Sequence, residues 1–173
     1  MVKKKTHKTN NPQRKTYTPP KGKIRTIEEL LSLEPCASVS ISDIQGKEGA
    51  ELKAFVFNKV KDIPLKHRYL YTQKEIGCLL SHHMATSALK KAALLTVPYV
   101  INNGYPITQW GLKPDNKINI NRKSDKMPSC LFGASIMIDG KKYLCELSLK
   151  FNGANKILPW ALVLLDEKRK KGD

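Results

Sequence analysis

At 173 residues the chain suits one compact domain with a tail, and an apolar content of 40% excludes wholesale disorder. Thirty-one Lys and Arg against fifteen Asp and Glu give a net charge of +16 at pH 7, which favours phosphate backbones and other anionic surfaces as partners. No run approaches the roughly 20 apolar residues of a membrane span, and the basic start Met-Val-Lys-Lys-Lys has no apolar stretch behind it, so the expected location is cytoplasmic, without a membrane partner.

The charge is concentrated at the front. Residues 1–25 hold nine basic side chains and no acid: Lys3, Lys4, Lys5, Lys8, Arg14, Lys15, Lys21, Lys23 and Arg25. With almost no apolar surface to offset chain entropy, this tail is expected to be disordered when free. Its charge block is either a solubilising arm or a phosphate-binding one, and Tyr17, near Lys15, can stack on a base. Residues 26–165 form the expected domain, with eighteen basic and twelve acidic side chains, and 166–173 form a charged C-terminal tail.

Order is expected to begin at Thr26-Ile27-Glu28-Glu29, a capping box opening a short helix to about Leu33, before Pro35. Ser38 to Ser42 alternates as a strand with one buried face, and Glu51 to Val60, rich in Phe and Val, leans to a strand, although Leu52, Phe55, Val56 and Lys59 also suit a helix. A second capping box, Thr72-Gln73-Lys74-Glu75, opens a helix to about His83, with Ile76, Leu79, Leu80 and His83 on one stripe. Thr86 or Ser87 caps a further helix with Lys90 and Lys91 turned outward, and Pro98 stops it. Asn102-Asn103-Gly104 reads as a turn, and Thr108 to Pro128 as a long basic loop.

Leu131 to Ile138, Asp139-Gly140, and Lys141 to Phe151 form a β-hairpin signal, since Asp-Gly suits a type I′ turn. The two-residue loop sets Ile138 opposite Lys141, Ile136 opposite Tyr143, Ala134 opposite Cys145 and Phe132 opposite Leu147. The other face carries Ser135, Glu146, Ser148 and Lys150, a surface that antiparallel sheets commonly leave in water. After a turn at Asn152-Gly153, Ile157 to Leu165 supplies a third strand. The expected class is α+β, with N-terminal helices packed on a C-terminal antiparallel β-meander.

The chemistry narrows by exclusion. No Gly-rich loop precedes a helix, which argues against a nucleotide-hydrolysing motor, and the domain's acids are too scattered for the clustered carboxylates that a metal-dependent nuclease usually needs. Cys36, Cys78, Cys130 and Cys145 are too widely spaced for a zinc knuckle, so neither metal nor cofactor is expected. RNA cleavage without metal needs a base, an acid and cations. His82 and His83 end a helix whose dipole favours protonation, although His83 on the apolar stripe equally suits a core-edge residue. Glu146, Ser148 and Lys150, two residues apart, share one sheet face as a candidate catalytic row. Lys66 and Arg68 flank His67 in a basic cluster, where backbone contact is as plausible as chemistry. Together with Lys3, Lys4, Lys5, Arg14, Lys15, Lys90, Lys91, Arg122 and Lys123 they are the candidate nucleic-acid contacts, the Arg122 guanidinium forking on phosphate.

His82-His83, the helix with Lys90-Lys91, and Val97-Pro98-Tyr99-Val100-Ile101-Asn102-Asn103 resemble the helical front half of barnase/EndoU/colicin/RelE-type nuclease domains of phages and mobile elements. The hairpin from Phe132 to Phe151 and the last strand resemble their β-meander, so the likeness spans about residues 67–165. It implies a metal-independent ribonuclease lineage, some of whose members only bind, with His82 or His83 and Lys150 at matching positions. The family's terminal catalytic position has no counterpart, because Ile157 to Leu165 offers only Trp160. That departure and the cationic tail favour a protein that binds RNA or ribonucleoprotein. The alternatives are a ribonuclease cleaving through a 2′,3′-cyclic phosphate and a protein inhibitor of a host nucleoprotein machine.

Overall fold

Side-chain caps decide where the helices begin. The computed structural model describes residues 17–81, 87–111 and 128–166. The Thr26 hydroxyl accepts the Glu29 N–H at 3.1 Å while Glu29 Oε1 accepts the Thr26 N–H at 2.9 Å, and helix α1 follows over Ile27–Leu31. A short strand β1, Ser38–Val39, comes next. The expected strand to Ser42 stops there, because Ser40 and Asp43 form a capping box of their own and start a 3-10 helix over Ile41–Ile44. Asp139 reinforces that stop: its carboxylate accepts from Ser40 Oγ at 2.7 Å and from the Ile41 N–H at 3.2 Å.

The segment read as a strand over Glu51 to Val60 is instead helix α2, Gly49–Val60. Leu52, Val56 and Val60, four residues apart, are its buried stripe, and this helical period outweighs the β propensity of its Phe and Val residues. The Thr72–Glu75 box opens α3, Gln73–Leu79, as expected; a π turn at Leu80 and Ser81 continues it, and His82 and His83 lie outside the described residues. Ser87 caps α4, Ala88–Ala93, which runs through a 3-10 turn, Leu94–Thr96, into α5, Val97–Asn103. Pro98 does not stop a helix. It sits in the first turn of α5, where its missing N–H has no intrahelical role. Asn102 and Asn103 are accordingly the last residues of a helix, and the chain turns at Gly104.

The protein is α+β, with one five-stranded, mostly antiparallel sheet. Strand β3, Ser129–Ile138, pairs with β4, Lys141–Phe151, in the register set by the two-residue loop, and β4 pairs with β5, Ile157–Leu165. Asp139 and Gly140 have φ of 49° and 80°, both positive as a type I′ turn requires. The far edge of β3 is shared by β1, parallel at Met137 and Ile138, and by β2, Tyr105–Pro106, antiparallel at Phe132 and Gly133. A bulge between Ser148 and Leu149 places Trp160 out of register beside Pro159.

Helices α2 to α5 cover the face carrying Phe132, Ala134, Ile136, Tyr143, Cys145 and Leu147. The opposite face is not simply solvated, because α1 packs Leu30 and Leu31 on Leu144 at its hairpin end. Ser135, expected in water, is buried there and donates its hydroxyl to the Leu30 carbonyl at 2.5 Å. Lys142 closes the same helix by donating to the carbonyls of Leu31 and Leu33 at 2.8 and 3.0 Å. All four cysteines are free thiols, and burial pushes Cys36 up to about 11 and Cys130 up to about 12. Among the described residues no helix is long and apolar enough to cross a membrane.

Two glycines carry testable constraints. Valine at residue 140 puts a β-branched side chain at φ of 80°, and Gly140→Val is expected to cost about 1–3 kcal/mol in urea unfolding. A Cβ at Gly104 falls 2.6 Å from the Gly133 carbonyl oxygen and 2.7 Å from that of Val100, so Gly104→Ala is expected to cost about 1–3 kcal/mol by overpacking.

Candidate nucleic-acid interface

The loop between α2 and α3 is rigidly mounted although it carries an exposed basic crest. The Asn102 side chain holds one end, accepting the Lys66 N–H at 3.0 Å and donating to the Pro64 carbonyl at 2.9 Å. The other end joins the sheet: the Ile157 N–H donates to the Arg68 carbonyl at 2.8 Å, and the Leu70 N–H to the Ile157 carbonyl at 2.9 Å. Arg68 takes a φ of 80°, a strained value for a residue with a side chain. Its guanidinium is held by Asn155, to the carbonyl from Nε at 3.2 Å and to Oδ1 from Nη2 at 2.9 Å, and lies 5.3 Å from the Phe151 ring centroid. These anchors leave Lys66 and His67 exposed at the crest, with the Lys66 ammonium 5.9 Å from the Phe132 ring centroid.

A strap of chain, residues 17–25, lies across from this crest, although its composition places it with the basic tail. Tyr17 packs on Phe151 at 5.2 Å between ring centroids, and the Arg25 N–H donates to the Pro106 carbonyl at 2.9 Å. The Arg25 guanidinium lies over the Tyr105 ring at 4.3 Å. Between strap and crest runs a groove of about 510 Å³, lined by Lys21, Lys23, Lys66, His67, Arg68, Tyr69, Tyr105, Trp110 and Phe132. A second cleft of about 440 Å³ shares Lys66, His67 and Arg68 and adds Lys61, Phe57 and Tyr71. Among the described residues no carboxylate lines either one. With a screening length of about 8 Å at physiological salt, such a cluster keeps a positive potential at close range.

The groove's aromatic surfaces are held in place. Trp110 rests on Phe151 with 5.0 Å between centroids, and Phe132 is buried. Burial, with a smaller contribution from the Cys130 thiol and a partial offset from Arg68, pushes the Tyr69 phenol up to about 12, so it stays a neutral hydrogen-bonding group. Cations at the rim and rings within are the components that grip a phosphate backbone and its bases.

Of the residues read from sequence as contacts, Lys66 and Arg68 meet in this groove. Lys91 lines a different cleft of about 430 Å³, with Glu48, Lys53 and Ser81, where the charges are mixed, and Lys90 is its neighbour on α4. Lys3, Lys4, Lys5, Arg14, Lys15, His82, His83, Arg122 and Lys123 lie outside the described residues. Glu146, Ser148 and Lys150 share one face of β4, opposite the face that carries Phe132 and Phe151, so the row and the groove are on different sides of the sheet. Glu146 is half-buried opposite Gly133 and Val163, and the Lys150 ammonium lies 5.6 Å from the Trp160 ring centroid. Among the described residues no three His, Cys, Asp or Glu side chains cluster as metal ligands. Sequence reasoning missed Lys21, Lys23, Tyr105 and Trp110 as groove residues; the one local signal was the run Lys66-His67-Arg68-Tyr69, which interleaves cations with a ring.

Compared with known proteins, the chain matches no family model, no curated protein and no solved structure.

Burial raises the Glu146 carboxyl above its ordinary range. The folded state therefore holds this proton more tightly than the unfolded chain, and stability present below the unfolded value is lost as pH rises through the folded one. Glu146→Gln is expected to raise Tm at neutral pH and to leave it unchanged near about pH 3, where both states are protonated. A fall in Tm at neutral pH would mean that the carboxylate has a stabilising partner.

Proposed function

We propose that this chain is a nucleic-acid-binding protein, with RNA as its first target, that holds the phosphate backbone along the groove between strap and crest. The observation that carries this reading is a recess with Lys21, Lys23, Lys66 and Arg68 at its lining, aromatic rings beside them and no acid among its described residues. Arg68 has Nε and Nη2 engaged by Asn155, so its main part is to fix the crest, while the exposed Lys21, Lys23 and Lys66 are the phosphate contacts. The six basic residues of 1–16 precede the strap in sequence and add to the charge available to the same partner.

A second reading, a metal-independent ribonuclease of the lineage that the sequence resembles, draws on the raised carboxyl of Glu146 beside Ser148 and Lys150. Binding is preferred because that row stands on the other side of the sheet from the groove. Incubation with RNA in EDTA separates the two: intact RNA supports binding alone. Cyclic-phosphate ends, with a rate lowered about 10²- to 10⁴-fold by Lys150→Ala, would reverse the preference.

The binding reading is tested by salt dependence. For a labelled RNA titrated across a range of salt, each lost phosphate contact is expected to flatten the log–log slope by roughly 0.7–0.9. Lys23→Ala with Lys66→Ala is expected to flatten it by about twice that amount, and removal of residues 1–16 to flatten it further. A slope unmoved by the double substitution would overturn the groove as the interface.

A further inference from the structure

The groove's lining distinguishes two forms of nucleic acid. Phosphate attraction alone calls for exposed cations on any surface, flat or convex. Here the cations rim a recess whose floor is the buried Phe132 ring and whose walls include Trp110 and Tyr69. The Trp110 ring is supported by Phe151, with 5.0 Å between ring centroids. Rings fixed in this way lose little conformational freedom when a flat group stacks on them. The recess, about 510 Å³, falls within the range of about 300–1,000 Å³ common for small-molecule sites, and so has room for a base.

A duplex has nothing to place there. Its bases are stacked on one another with their faces hidden, and only its phosphates and groove edges reach a protein surface. An unpaired strand instead offers base faces to rings and phosphates to the rim. The lining is also poor in groups that read base edges: among the described residues it contains no Asn, Gln, Asp, Glu, Ser or Thr.

We infer that the groove takes an unpaired nucleobase stacked against Trp110, so that the ligand is single-stranded nucleic acid, bound with little regard to sequence. This rests on the nucleic-acid reading above and adds the strand state and the basis of selectivity. Lys21, Lys23 and Lys66 hold the backbone at the rim, and Tyr69 offers its neutral hydroxyl inside.

The test compares four probes on the full chain: a single-stranded RNA 12-mer, the same sequence as a duplex, an abasic 12-mer of equal charge, and poly-glutamate. The single strand is expected to bind tightest, with the abasic strand weaker by about 5- to 150-fold, the range for loss of stacking on an aromatic ring. Trp110→Leu is expected to weaken the base-bearing strand and leave the abasic strand unchanged, with circular dichroism checking the fold. Should that variant fail to fold, the abasic comparison on the unaltered chain decides alone. Equal affinity for abasic and normal strands, or a duplex bound as tightly as the single strand, overturns the inference while leaving nucleic-acid binding in place. Poly-glutamate bound as tightly as the single strand also overturns it, in favour of an acidic peptide. Binding of none of the RNA probes removes the functional reading itself.

Discussion

The end of α5 lies against β3 with no room for a side chain. At Gly104 the backbone meets the Gly133 carbonyl and the Phe132 ring, and the chain then turns along the β3 edge as Tyr105 and Pro106. From this one close approach the interface is laid out in both directions. Two residues earlier, Asn102 holds the backbone of Pro64 and Lys66 and so fixes where the basic crest stands. Just after it, Tyr105 is placed under Arg25, and the chain continues to Trp110 over Phe151. A larger residue at 104 would move both walls of the groove at once, although it touches neither Lys66 nor Trp110.

The elements legible in the sequence were those specified by a few adjacent residues. The hairpin register followed from Asp139-Gly140 and a strict period of two, and two helix starts followed from Thr-x-x-Glu boxes. What could not be read depended on distant partners. The stripe of Leu52, Val56 and Val60 competes with β-favouring neighbours until a core exists to reward it. Ser40 turns the chain out of β1 with help from Asp139, which is far away in sequence. Ser135 has the polarity of a surface residue, but α1 covers it and supplies a carbonyl for its hydroxyl. The groove was the least legible part, being assembled from the strap, the crest, the β2 edge and one residue of β3; only Lys66 and Arg68 announced themselves as a local cluster.

Aromatic rings, rather than carboxylates, accompany the cations around this interface. Arg25, Lys66 and Arg68 each lie over a ring of the core or its margin. A ring attracts a cation through its quadrupole without cancelling the charge, whereas a carboxylate would remove most of the positive potential at the same spot. The side chains are thereby oriented while their charge remains directed toward an incoming anion. Arg68 goes furthest: Asn155 engages its fork, and its strained backbone is held through its carbonyl, and through the Leu70 N–H two residues on, by the first residue of β5.

The irregular start of β5 bears on a different property, resistance to self-association. An outer strand as apolar as Ile157–Leu165 is a template for further chains, each extending the sheet through its unpaired backbone groups. Here Ile157 already has its N–H and carbonyl taken by the 68–70 loop. Pro159, facing the same edge two residues on, has no N–H to give, and the slip at Trp160 breaks the spacing that a straight incoming strand would need. The same residues that anchor the crest thus make this end of the sheet a poor seed for aggregation.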